Sequence, residues 1–346
     1  MPNASQRTSL VISDVVSQYL RMVERARSKA TMASYKNALL IFSQMLLKKK
    51  IDPTTTPITD LTEDHFATFV DYLNDYATAT EQLYLQAVKG FYLYVDSERL
   101  ADINQARLTV LIRQRARRPG KTLPQFPANE IRTFLDKVSQ PQNLMDVEDP
   151  SEDLTTVKLR AYRDRAFLLM LADTGLRVHE ACNLRRGDID WNEGRTLVIG
   201  KGNKQAMVRF TNRSMQAIKD YLSQRAELDG ASGKQLTSLP LFARHDKGAG
   251  KKVKPITPTT GRNIVKERVK QILNEELAGK ITPHSFRHYF VTSVLQGTGN
   301  LVVAQKLARH ENIQVTQRYT HLSDDELDKA YYEVFENQPK QGKTEE

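Results

Sequence analysis

The chain has 346 residues, room for about two domains at roughly 150 residues each. It carries 51 Lys and Arg against 41 Asp and Glu; the net charge of +10 favours a polyanionic partner, nucleic acid above all, although a basic protein without such a partner fits the same number. The single cysteine, Cys182, excludes a disulfide framework and a cysteine-built zinc site, no apolar run reaches the ~18–20 residues of a membrane span, and the polar start MPNASQRTS is not a signal peptide, so a soluble cytoplasmic protein is expected.

From Leu10 to about Leu100 the apolar spacing is helical. Ile12, Val15, Val16, Tyr19, Leu20 and Val23 form one stripe. A second helix, capped by Thr31, turns Tyr35, Leu39, Phe42 and Leu46 inward. The two prolines of DPTTTPITD break the pattern. A third helix carries Phe66, Phe69, Val70 and Leu73, and a fourth carries Leu83, Val88, Phe91, Tyr92 and Val95. These predict a small all-α domain over residues 1–112. RLTVLIRQRARRPGKTLP follows, with Arg107, Arg113, Arg115, Arg117, Arg118 and Lys121 and no acid before Pro124. Pro119, Gly120 and Pro124 stop any helix, so residues 113–125 are expected to be a basic interdomain linker. Such a charge run reads either as a solvated face or as a set of phosphate contacts.

Residues 126–346 mix helices with a little sheet. NEIRTFLDKV is an amphipathic helix. QPQNLMDVEDPSEDL is an acidic loop that DNA would repel. KLRAYRDRAFLLMLADTG is a helix closed by Gly175. RTLVIG and AMVRFT flank KGNKQ as a β-hairpin with Gly202 in the turn. Helices are expected over 213–226, 259–277, 284–296, 300–309, 312–319 and 324–336, before the polar tail NQPKQGKTEE.

Five features could carry chemistry. TGLRVHE places Arg177 after a helix-ending glycine, with Glu180 one turn on. GKGNKQ puts Lys201 on a tight turn. TPHSFRH opens a helix with His284 and Arg287. LARHE places His310 at a helix end, and TQRYTH holds Tyr319 nine residues later. Singly, each has an ordinary structural reading: a surface ion pair, a solvated lysine, a helix cap, a half-buried tyrosine. His284 and His288 at i, i+4 also resemble a metal pair, but without the third ligand of an H-E-x-x-H site.

In order and spacing, TGLRVHEACNL, VIGKGNKQ, ITPHSFRHYFVT and LARHENIQVTQRYTHL resemble the signature boxes of the tyrosine recombinases, the family of phage-type integrases and Xer-like resolvases. The likeness runs from about residue 120 to 335. Two positions depart from the family pattern: Arg309 stands where glycine is usual, and Phe286 where leucine is common.

The resemblance implies a mainly α fold with a small β-sheet. A helical, SAM-like core-binding domain would precede a mixed α/β catalytic domain with a C-terminal oligomerisation helix. It implies a site-specific recombinase that cleaves and rejoins double-stranded DNA through a 3′-phosphotyrosyl link and a Holliday junction. Four protomers would assemble on two sites, with no cofactor and no metal. Tyr319 would be the nucleophile. Arg177 and Arg287 would clamp the phosphate, and Lys201 would be the general acid. His284 would assist proton transfer, His310 would donate a hydrogen bond to the phosphate, and Glu180 would orient the site. Lys29, Thr31, Lys36, Arg113, Arg115, Arg117, Lys204 and Arg262 are candidate DNA contacts. Leu327, Tyr331, Val334 and Phe335 form an apolar face for a neighbouring protomer. With the first helix beginning by residue 10, no separate arm-binding domain is expected. A type IB topoisomerase-like nicking enzyme and a non-catalytic DNA-binding protein of the same fold are the alternatives.

Overall fold

The structure, a computed structural model, describes residues 10–117, 127–145, 153–200, 205–246, 248 and 252–309. The chain divides into two compact units, Met1–Leu123 and Pro124–Glu346, each with its own apolar core.

The first unit holds five helices among its described residues: α1 (Ile12–Ala26), α2 (Lys29–Lys48), α3 (Glu63–Tyr72), α4 (Thr78–Ser97) and α5 (Gln105–Arg115). The expected stripes face the core except at Leu83, which lies on the exposed side of α4. Ile12, Val15, Tyr19 and Val23 of α1 join Leu39, Phe42 and Leu46 of α2 and Phe66, Phe69, Phe91 and Tyr92 of α3 and α4 in one core. Tyr92 anchors it, with Phe42, Phe66 and Phe91 packed edge-on at 5.4–6.1 Å between ring centroids, the favoured aromatic geometry.

Two expectations shift. The cap of α2 is Ser28, whose hydroxyl accepts the Thr31 N–H, so Thr31 lies inside the first turn. The expected linker start at residue 113 falls inside α5, which is capped by Asn104 and runs to Arg115. Leu108 is buried in the core, and Ile112 and Ala116 pack against it, so this basic segment belongs to the first unit.

The second unit is helical around a three-stranded antiparallel sheet ordered β1 (Ile189–Asp190), β2 (Arg195–Ile199), β3 (Gln205–Arg209). β2 and β3 pair from Arg195↔Arg209 to Ile199↔Gln205, the expected hairpin. The acidic loop opens with a 3-10 turn, Pro141–Leu144. The helices are α6 (Ala128–Val138), α7 (Leu154–Thr174), α8 (Val178–Asn183), α9 (Asn212–Gln224), α10 (Ala226–Gly230), α11 (Pro258–Ile272), α12 (Glu275–Lys280), α13 (Pro283–Thr298) and α14 (Leu301–Ala308).

The single helix expected over 259–277 divides at Asn274, whose side chain accepts the Leu277 N–H and starts α12. Central to the unit is α7, with Phe167, Leu168, Leu169, Met170 and Leu171 all buried. Gly175 ends it in the left-handed region at φ 59°. A β-carbon there would also stand 2.5 Å from the Phe290 ring, so both backbone and packing require glycine.

Candidate active site

Three chain segments meet around Gly175, whose carbonyl accepts from Arg287 and Arg309. The turn after α7 delivers Arg177, the first turns of α13 deliver His284 and Arg287, and the end of α14 delivers Arg309. α13 starts where Thr282 and Ser285 form a capping box and Pro283 occupies the first turn, which fixes the direction of the helix.

Arg287 is only 3% exposed. Its Nη1 donates to the Gly175 carbonyl at 2.5 Å, and its Nη2 donates to the Ala308 carbonyl, the last of α14. The guanidinium therefore ties the end of α7 to the end of α14. Arg177 is held differently. Its backbone N–H donates to Glu180 Oε2 at 2.9 Å and its Nη1 to Oε1 at 3.0 Å, while its side chain stays 43% exposed. Glu180 thus aims a partly exposed cation. Its own burial would raise the carboxyl pKa, but the Arg177 N–H, Arg309 and the Arg177 guanidinium together hold it below its usual value.

Arg309 closes the circuit. Its Nη2 reaches Glu180 Oε2 at 3.1 Å and the Gly175 carbonyl at 3.4 Å. Its backbone lies at φ 59°, ψ 43°, the left-handed helix cap that glycine adopts without strain and other residues at about 1–2 kcal/mol. The position where glycine is usual is indeed a glycine-type backbone position.

Burial, Arg287 and Arg177 all lower the His284 pKa, which sets the three side chains in one electrostatic neighbourhood. His288 meets His284 edge-on, 4.3 Å between centroids, and is lowered to about 4 by burial, His284 and Arg287. No group of three metal-ligating side chains occurs among the described residues. Lys201, Lys204, His310, Tyr319 and the expected helices over 312–319 and 324–336 lie outside the described residues.

The candidate DNA contacts separate into two kinds. Arg117 donates through Nε to Glu81 at 2.5 Å and through Nη2 to the carbonyls of Tyr76 and Leu73. Arg115 pairs with Asp71 at 2.8 Å. These two fasten α5 and its end to the first unit, so Arg117 has structural contacts of its own. Lys29, Lys36, Arg113 and Arg262 lie on exposed positions. Thr31 hydrogen-bonds Ser28.

The chain matches the phage integrase family over residues 138–326. It is 30% identical over 258 residues to the tyrosine recombinase XerC of Myxococcus xanthus, covering 74% of this chain and 76% of the relative. To XerC of Pediococcus pentosaceus it is 29% identical over 320 residues, 92% and 95% of the two chains. Among solved structures, XerH bound to a palindromic difH substrate in a post-cleavage complex superimposes with a TM-score of 0.62 at 19% identity, covering 92% of this chain and 83% of that one. A lambda integrase dimer bound to a core site gives a TM-score of 0.60 at 14% identity, covering 91% and 98%. At these identities the structures speak for the fold.

Proposed function

The chain belongs to the phage integrase family and is a tyrosine-type site-specific recombinase, and from that premise we propose that Tyr319 attacks a DNA phosphodiester held by Arg177 and Arg287. The observation that carries the proposal is the geometry around Gly175: Glu180 aims the partly exposed Arg177, and Arg309 links Glu180 to the Gly175 carbonyl that holds Arg287.

The phenolic oxygen of Tyr319 bonds to phosphorus, the bond to the 5′-oxygen breaks, and a 3′-phosphotyrosyl link and a free 5′-hydroxyl result. A phenol with a pKa near 10 must lose its proton to attack, and His284 assists that transfer. Planar guanidiniums match the non-bridging oxygens and stabilise the charge that grows on them. Lys201 gives the leaving 5′-oxygen its proton, and His310 donates to the phosphate. The covalent link conserves the bond energy, so rejoining needs no nucleotide. Double-stranded DNA is the partner; XerH and lambda integrase were solved bound to their DNA. Four protomers on two sites, exchanging strands through a Holliday junction, complete the reading, with the segment 323–346 as the link between protomers.

The test replaces the bridging 5′-oxygen with sulfur. A thiolate leaves without protonation, so Lys201→Ala should cleave the sulfur-substituted DNA about 10²-fold or more faster than ordinary DNA. Equal defects on both substrates would remove Lys201 from the acid role and point to Lys204.

A further inference from the structure

Arg309 is a third arginine at the site, and its geometry differs from that of the other two. Its guanidinium is buried, it occupies a left-handed backbone position, and it holds both the carboxylate that aims Arg177 and the carbonyl that holds Arg287. Glu180 is 7% exposed and accepts from both arginines, Arg177 through Oε1 and Oε2 and Arg309 through Oε2. Without Arg309, that buried carboxylate would have Arg177 as its only cation among the described residues. The charge of Arg177 would then be drawn inward to neutralise Glu180, away from any anion outside. Gly175 has the same logic on the other side, since its carbonyl accepts from Arg287 and Arg309 alike. A glycine at position 309 would relax the backbone and supply none of these contacts.

We propose that Arg309 is a positioning residue of the recombination site: by neutralising Glu180 it leaves the charge of Arg177 available to the scissile phosphate, and through Gly175 it couples Arg177 to Arg287. The inference rests on the clamp reading above. It also explains how a strained, non-glycine residue fits this cap. The side chain, still short of a partner at its Nε among the described residues, carries contacts that a glycine lacks.

The experiment is a double-mutant cycle on covalent adduct formation, using a nicked duplex that carries the site protected in the DNA flanking the protein's own gene. Arg309→Gly should bind this duplex within about twofold of wild type but form adduct roughly 10- to 100-fold more slowly, the scale expected when a group that orients the reacting partners is lost. Acting through Glu180 means that the two losses do not add. In a Glu180→Gln background, where no carboxylate charge needs neutralising, Arg309→Gly should cost less than about threefold. If Arg309→Gly fails to fold, Arg309→Lys enters the same cycle, because it keeps the charge and loses the fork. Equal losses in both backgrounds, or wild-type cleavage by Arg309→Gly, would overturn the inference alone. A wild-type protein that forms no adduct would overturn the clamp reading and the inference with it.

Discussion

Glu81 and Glu180 are both buried glutamates that hold an arginine, and they put it to opposite uses. Arg117 and Arg177 are nearly equally exposed, 39% and 43%, so exposure does not separate them. What they touch does. Glu81 takes Nε of Arg117, while Nη2 of the same fork is bound to the carbonyls of Tyr76 and Leu73. That guanidinium is consumed inside the first unit and staples the end of α5. Glu180 takes only Nη1 of Arg177 and shares itself with Arg309, so Arg177 is oriented without being consumed. Between these two arginines, Arg117 has carbonyls closed around its fork, whereas Arg177 is aimed by a carboxylate alone.

The largest effects should divide along that line. Arg177→Ala should slow adduct formation by about 10²–10³-fold with little change in unfolding midpoint, because one preorganised charge is lost from the transition state. Arg117→Ala should leave the second unit's chemistry alone but destabilise the first by about 3 kcal/mol, since Glu81 stays buried without its cation. Denaturant unfolding and adduct kinetics on both variants check this. The same change in both would erase the distinction.

A smaller effect concerns acid stability. Burial, with Arg163 and Arg225 nearby, lowers His245 to about 3, and its ring is hydrogen-bonded to the Tyr221 hydroxyl at 2.8 Å. Between pH 6.5 and about 3 the unfolded chain holds a proton that the folded protein does not. Stability therefore falls as pH drops through that window, by about 1.4 kcal/mol per pH unit from this group. Urea midpoints at pH 7 and pH 5 should lie closer together in His245→Gln than in wild type. An unchanged gap would assign the acid sensitivity elsewhere.

The smallest effect is on salt dependence. Arg113→Ala should flatten the slope of log affinity against log salt by about 0.9, one phosphate contact, and Arg117→Ala should leave it unchanged. A flatter slope in Arg117→Ala would mean that its fork opens to DNA.

The sequence is legible where the physics is local. Gly175 after an apolar helix, the pairing of RTLVI with QAMVR and Glu180 three residues after Arg177 each need only a few neighbouring residues, and each stands as expected in the structure. Non-local commitments were not legible. Arg115 and Arg117 read as a linker because their partners, Asp71 and Glu81, lie 36–44 residues earlier in the chain. Ser28 went unseen as the cap of α2, since Thr31 has the same chemistry three residues on. α8, β1 and α10 are too short to show a period. Arg309 was visible as a departure from the family pattern. Its left-handed backbone and its reach to Glu180 needed three dimensions.

We propose that tyrosine and arginine chemistry together cleave the DNA. This chemistry is tested most directly by denaturing the protein in the presence of its nicked target duplex and EDTA, then mapping the attached nucleotide by mass spectrometry. A covalent adduct on Tyr319 is expected in wild type, carried through a 3′-phosphate and undiminished by EDTA because guanidiniums supply the positive charge. Tyr319→Phe should bind the duplex normally and form none. An adduct on another residue, or cleavage that stops in EDTA and returns with added Mg²⁺ or Zn²⁺, would contradict the proposal.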